Sequence, residues 1–178
     1  VNRHDPGQLI VFADGGCINN GKPSARAGWG LAFGPSPQSV VSGPLEAAGP
    51  FGADFVPTSQ RAELRAVIAA VRSPAWVRRY GFRRLLVVSG SQYAVEGATD
   101  RLRTWSTSDR LKKKANVDMW NALQGEVERQ KEHEGLAIQM LFTPKSGKLW
   151  GFAAGAVWAA KRQSATSEVL PRWTDPVA

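Results

Sequence analysis

Leu9-Ile10-Val11-Phe12-Ala13-Asp14-Gly15-Gly16 sets five apolar residues directly before one carboxylate and two glycines. A continuous apolar run this short reads as a strand buried on both faces, and so as a central one. The reading places Asp14 at the last position of that strand. Gly15 and Gly16 then allow a sharp turn or a close approach of backbone to a ligand. An Asp-Gly pair also makes a plain turn on its own, so other segments decide what Asp14 is for.

Downstream, Cys17-Ile18-Asn19-Asn20-Gly21-Lys22 reads as a polar hairpin loop with Asn-Gly as its turn signal. Arg26 to Gly34 is a second strand and Gln38 to Gly43 a short third, antiparallel to the second. Pro44 to Pro57 has no period and reads as a loop. Thr58 to Val71 is a helix: Thr58 or Ser59 can cap it, and Leu64, Val67, Ile68 and Val71 form one apolar stripe. Glu63 falls in its first turn by this reading, where an acid also serves the helix dipole. Trp76, Tyr80 and Phe82 mark an aromatic connection.

Arg84 to Ser89 is a further buried strand, and a short helix starts at Ser91 and runs through Val95. Asn116 to Glu134 is a long helix with Trp120, Leu123 and Val127 inward, followed by a strand over Leu136 to Phe142. A small-residue helix over Leu149 to Lys161 and a loose tail complete the chain. The order predicts an α/β fold with a mixed five-stranded sheet: three antiparallel strands, then parallel strands joined by helical crossovers, with helices on both faces. Ligands of such sheets gather at the carboxyl ends of the parallel strands. Asp14, Gly90 and the end of the last strand should meet there.

A chain of 178 residues is one domain with tails, which we place at 1–8, 9–162 and 163–178. The net charge of +8 favours phosphate-bearing partners, although acidic proteins and membrane surfaces suit it too. The cations concentrate in Arg101, Arg103, Arg110, Lys112, Lys113 and Lys114, six against Asp109, with Trp105 among them. A solvated basic loop has the same composition. One cysteine excludes an internal disulfide and fits a reducing, intracellular compartment. No apolar run is long enough to span a membrane. The first residue is Val1 rather than Met, which leaves room for a leader or another domain ahead of it and makes targeting unreadable.

Five blocks in order resemble type 1 ribonuclease H in its fungal form. They are Asp14-Gly15-Gly16-Cys17 with Asn20-Gly21; Arg26-Ala27-Gly28; Thr58-Ser59-Gln60-Arg61-Ala62-Glu63-Leu64; Ser91 to Gly97; and Asn116-x-Asp118-x-Trp120. The resemblance covers Leu9 to Arg162 and implies the ribonuclease H-like fold. It also implies a nuclease that cuts the RNA strand of RNA–DNA hybrids, with two Mg²⁺ ions held by four carboxylates. Several acids are needed because two divalent ions about 3.5–4 Å apart repel strongly. Carried over by position, the first two acids are Asp14 and Glu63.

The other two are replaced. Where the family reads Asp-Ser after the fourth strand, this chain reads Gly90-Ser91. An ungapped count from Pro144 puts Gly151-Phe152 at the fourth position, a small gap reaches only Ala or Gly, and no acid stands between Glu134 and Glu168. Lys145-Ser146-Gly147-Lys148 replaces a His-bearing loop found in relatives. Glu96 and Asp118 lie on other helical positions and are poor substitutes. With two of four ligands gone, the expectation is a pseudoenzyme with no cofactor, or with weakly bound Mg²⁺ or Mn²⁺ at Asp14 and Glu63.

Binding is the activity the resemblance leaves in place. Gln60, and Ser59 where the family has Asn, correspond to readers of RNA 2′-hydroxyls. Cys17 and Asn20 would face the same minor groove, and Arg101 to Lys114 corresponds to a basic protrusion that holds the DNA strand. Trp29, Trp120, Trp150 and Trp158 read as packing residues. Three functions stay open at this point: a non-cleaving binder of RNA, hybrid or duplex; a weak, Mn²⁺-dependent nuclease; and a protein-interaction module of a ribonucleoprotein.

Overall fold

The computed structural model describes residues 2–73, 75–102, 104 and 114–144. Its first strand, β1 (Gln8–Ile18), is the centre of the sheet. Around it lie β2 (Arg26–Ala32), β3 (Val40–Pro44), β4 (Arg84–Ser89) and β5 (Ala137–Phe142), in the order β3-β2-β1-β4-β5. β1 pairs antiparallel with β2, and β2 with β3; β4 runs parallel to both β1 and β5. This is the expected ribonuclease H-like mixed sheet.

The strand that opened the sequence reading is longer than expected. Asp14 is not its last residue: β1 continues through Gly15, Gly16 and Cys17, and Asp14 pairs with Gly30 in mid-strand. The local pattern lost the strand at the glycines, but pairing with Gly28 and Trp29 carries it to Ile18. The reversal begins at Asn19, whose φ is 55°, and Gly21 follows at 78°. The third strand also shifts, with a 3₁₀ turn at Pro37–Ser39 ahead of β3.

Four helices complete the described residues: α1 (Ser59–Arg72), α2 (Ala75–Arg78), α3 (Gln92–Glu96), which runs on as a π-type turn over Gly97–Arg101, and α4 (Val117–Glu134). Thr58 caps α1, its hydroxyl accepting from the Arg61 amide at 3.2 Å. Glu63 therefore lies beyond the first turn, which holds no acid, and a dipole role is not what places it there. At the other end of α1, the Arg72 carbonyl accepts from the side chains of Arg129 and Gln130 at 3.1 Å, which satisfies a terminal carbonyl from α4. The aromatic connection contains α2, whose Trp76 is buried and donates to the Ala70 carbonyl at 2.6 Å.

Leu9, Val11 and Ala13 of β1 join Leu64, Val67, Ile68 and Val71 of α1 and Met119, Trp120 and Leu123 of α4 in one core. A side chain of this size contributes about 1.5–3 kcal/mol when fully buried. Gly15 allows the tightest contact: a Cβ there would sit 2.1 Å from the Ala62 carbonyl carbon. The close approach expected of these glycines is therefore to a helix. The opposite face of the sheet carries Ile10, Phe12 and Leu86 around Val88. The helix expected over Leu149 to Lys161 and the tail after it lie outside the described residues.

The loop after β3 is pinned from beneath. Glu46 and Arg65 both have fully buried side chains and form an ion pair, with Arg65 Nη2 2.7 Å from Glu46 Oε1. The Arg65 guanidinium also lies 4.6 Å from the Trp29 ring centroid. Ahead of β1, Asn2 to Gly7 fold back, and Asp5 pairs with Arg84 of β4. No described helix is long and apolar enough to cross a membrane.

Candidate functional site

The parallel register of β1 and β4 builds the site. Ala13 stands level with Ser89, the last residue of β4, and Asp14 and Gly90 are the residues that follow this final pair in sequence. The position at which an acid was expected thus lies just past the end of β4 and carries no side chain. Asp14 is buried, 6% exposed, and its Oδ1 accepts from the Gly15 amide at 2.9 Å. Close packing at Gly15 brings α1 to this end of the sheet, with the Glu63 backbone nitrogen 2.3 Å from where a Gly15 Cβ would be. The strand that carries Asp14 and the helix that carries Glu63 thus meet backbone to backbone at Gly15.

Glu63 is half-buried, and its Oε2 accepts a 2.6 Å hydrogen bond from the Ser91 hydroxyl. Ser91 is itself buried and caps α3, accepting from the Ala94 amide at 3.2 Å, while its own amide donates to Ser89 Oγ at 3.2 Å. Sequence reading recognised Ser91 only as a helix start. A Ser flanked by Gly90 and a capped helix gives no local signal of a partner on α1.

The alternative acids are engaged elsewhere. Asp118 receives the Arg61 guanidinium, with Nη1 2.9 Å from Oδ1 and Nη2 on Oδ2. Burial pushes the Asp118 carboxyl up, but the hydrogen bonds and charge of Arg61 outweigh it and hold the group below its ordinary value of 3.8. Glu96 accepts from Gln92 and pairs with Arg101. Among the described residues, no three His, Cys, Asp or Glu side chains form a group that could hold a metal ion. Mg²⁺ asks for near-octahedral oxygen ligation. Among the described residues, one buried Asp, one Glu and a glycine supply too few oxygens for a two-metal centre.

Of the residues expected to face nucleic acid, those near the start of α1 lie close together. Asn20 Oδ1 accepts from the Ser59 amide at 3.1 Å, so the β1–β2 reversal is tied to the start of α1. Cys17 is half-buried, with Sγ 3.6 Å from the Pro57 carbonyl oxygen. Gln60 is exposed beside them. In the basic segment, Arg101 and Lys114 are exposed. Arg103, Trp105, Arg110, Lys112 and Lys113 lie outside the described residues, as does Phe152. The end of that segment is held through Tyr93, whose hydroxyl donates to the Ala115 carbonyl at 3.3 Å and accepts from Trp120 Nε1 at 3.1 Å. Trp29 and Trp120 are core residues, as expected.

Two arginines of α1 escaped sequence reading, although Arg61 and Arg65 stand four apart on a helix whose inner face is otherwise apolar. Cations at such positions need acids from elsewhere in the fold. Asp118 and Glu46 supply them.

Comparison with known proteins places this geometry among relatives. The family model described as RNase H matches residues 6–140. Ribonuclease H of Methylobacillus flagellatus is 32% identical over 126 residues, covering 68% of this chain and 72% of that protein. The solution structure of the PFV RNase H domain matches with a TM-score of 0.59 at 21% identity, covering 88% of this chain and 93% of that one. The foamy viral protease-reverse transcriptase in complex with RNA/DNA hybrid matches at 20% identity and a TM-score of 0.57, over 85% of this chain and 20% of that one. At these identities the two structures speak for the fold.

Proposed function

This chain belongs to the ribonuclease H family, and we propose that it is a member that binds nucleic acid (RNA, an RNA–DNA hybrid or a duplex) without cutting it efficiently. The observation that carries the proposal is Gly90, which directly follows β4 after its last register pair, Ser89 with Ala13, and carries no carboxylate. It removes a carboxylate from the place where hydrolysis would need one, while Glu63 stays bound to Ser91. Two-metal hydrolysis needs ions clamped on both the attacking and the leaving oxygen, and this donor set falls short of that.

Binding needs less. Asn20, Ser59 and Gln60 offer amide and hydroxyl groups to 2′-hydroxyls, with Cys17 alongside, and the contact between Asn20 and the Ser59 amide supports their common placement. Arg101, Arg103, Trp105, Arg110, Lys112, Lys113 and Lys114 add a phosphate-directed term that weakens with salt. We place the binding domain at 9–162, in a reducing, intracellular compartment. Partner proteins within a larger complex form part of the same proposal.

The test is an end-labelled RNA–DNA hybrid incubated with the protein in Mg²⁺ and in Mn²⁺, with Asp14→Ala alongside. The expected result is retarded but intact hybrid with both proteins. Cleavage that disappears in Asp14→Ala would establish a weak nuclease instead. Absence of binding at about 100 mM salt would remove the nucleic-acid reading and leave a protein-interaction module.

A further inference from the structure

We propose that Glu63 has changed employment: it serves as the acceptor that ties α1 to α3 through Ser91, and the site keeps its shape without a divalent ion. The inference rests on the family reading of Asp14 and Glu63 as remnants of a metal-binding set, and asks what such a remnant does.

The hydrogen-bond directions at Ser91 carry the argument. A serine hydroxyl has one proton and two lone pairs. The Ala94 amide donates to Ser91 Oγ at 3.2 Å, which uses a lone pair to cap α3. The proton is left for Glu63 Oε2, and the 2.6 Å separation is that of a hydroxyl donating to a carboxylate. Ser91 cannot turn away without uncapping α3, and its own amide is anchored on Ser89 Oγ at the end of β4. Strand β4, helix α3 and helix α1 therefore meet in one buried serine, 4% exposed.

Gly90 makes this arrangement sufficient. A complete acid set is a cluster of like charges that a metal must neutralise, so an unfilled set destabilises its own fold. With glycine at position 90 the set has one carboxylate fewer, which lessens that repulsion. Both retained acids then have protein donors, the Gly15 amide for Asp14 and the Ser91 hydroxyl for Glu63. The Ser91 bond takes up one acceptor site of Glu63 Oε2, so this carboxylate has a structural partner without an ion.

Thermal unfolding without nucleic acid tests this, so a failure of the binding reading leaves the test intact. The wild-type midpoint is expected to be the same in EDTA and in millimolar Mg²⁺ or Mn²⁺. Ser91→Ala and Glu63→Ala should each lower it by about 2–6 °C, Ser91→Ala more because it also uncaps α3, and the double variant should lose little more than Ser91→Ala alone. Ser91→Thr, which keeps the hydroxyl, should restore the midpoint. A wild-type midpoint that rises with Mg²⁺ and no longer does so in Glu63→Ala would overturn the proposal. So would a Glu63→Ala midpoint above wild type, which marks an acid held against repulsion, or full additivity of the two losses.

Discussion

Gly15 and Glu63 are packed so closely that a Cβ on the glycine would stand 2.3 Å from the glutamate's backbone nitrogen. The strand that carries Asp14 and the helix that carries Glu63 approach each other because one residue between them has no side chain. Gly15→Ala must push α1 away from β1, and overpacking of this kind costs at least about 1–3 kcal/mol. Gly125 is the internal control: exposed on α4, it has nothing within 4 Å of its Cβ direction. Gly125→Ala is expected to raise stability by about 0.5–1 kcal/mol through helix propensity. Urea unfolding of both variants measures the contrast, and equal midpoints would contradict it.

Glu46 and Arg65 make the second prediction. Both side chains are completely buried, and removing one partner leaves a desolvated charge. Glu46→Ala should cost about 3–5 kcal/mol, whereas an apolar replacement of both partners should cost far less. Chemical denaturation of the single and double variants decides it. A single-variant loss below about 1 kcal/mol would mean that this pair behaves like a surface one.

Asp118 predicts a pH dependence. Its carboxyl is held below the ordinary value by Arg61. A carboxylate with a depressed folded value contributes stability that is present above the unfolded value and is lost as pH falls through the folded one. Wild type should lose stability on acidification from about pH 4 downward, and Asp118→Asn should show a smaller loss over that window from a lower starting point. Thermal midpoints recorded across the range measure this. Parallel curves for the two proteins would show that the Arg61–Asp118 pair is not the linked group.

The basic segment predicts a salt response. If Lys112, Lys113 and Lys114 meet phosphates, replacing all three with alanine should reduce the slope of log affinity against log salt by about 2–3. Titration of a labelled hybrid at several salt concentrations reads that slope directly. An unchanged slope would assign these lysines to solvent.

The strands, the helices and their order were legible because apolar period and caps are local. A buried run at Leu9 to Ala13, a capped stripe from Thr58 to Val71 and a second buried run at Arg84 to Ser89 need no knowledge of what they pack against. The choice of Asp14 and Glu63 as candidate acids, and the absence of an acid at Gly90, came from setting those runs against a family pattern. Tertiary structure decided where β1 ends, since Gly15 and Gly16 carry no side-chain signal and only β2 extends the strand past them. It also decided that Asp118 and Glu46 neutralise α1's inner arginines and that Ser91 holds Glu63. Those contacts join residues 19 to 57 positions apart. A hydrogen bond across such a distance is set by where two elements come to rest, and no local period records it.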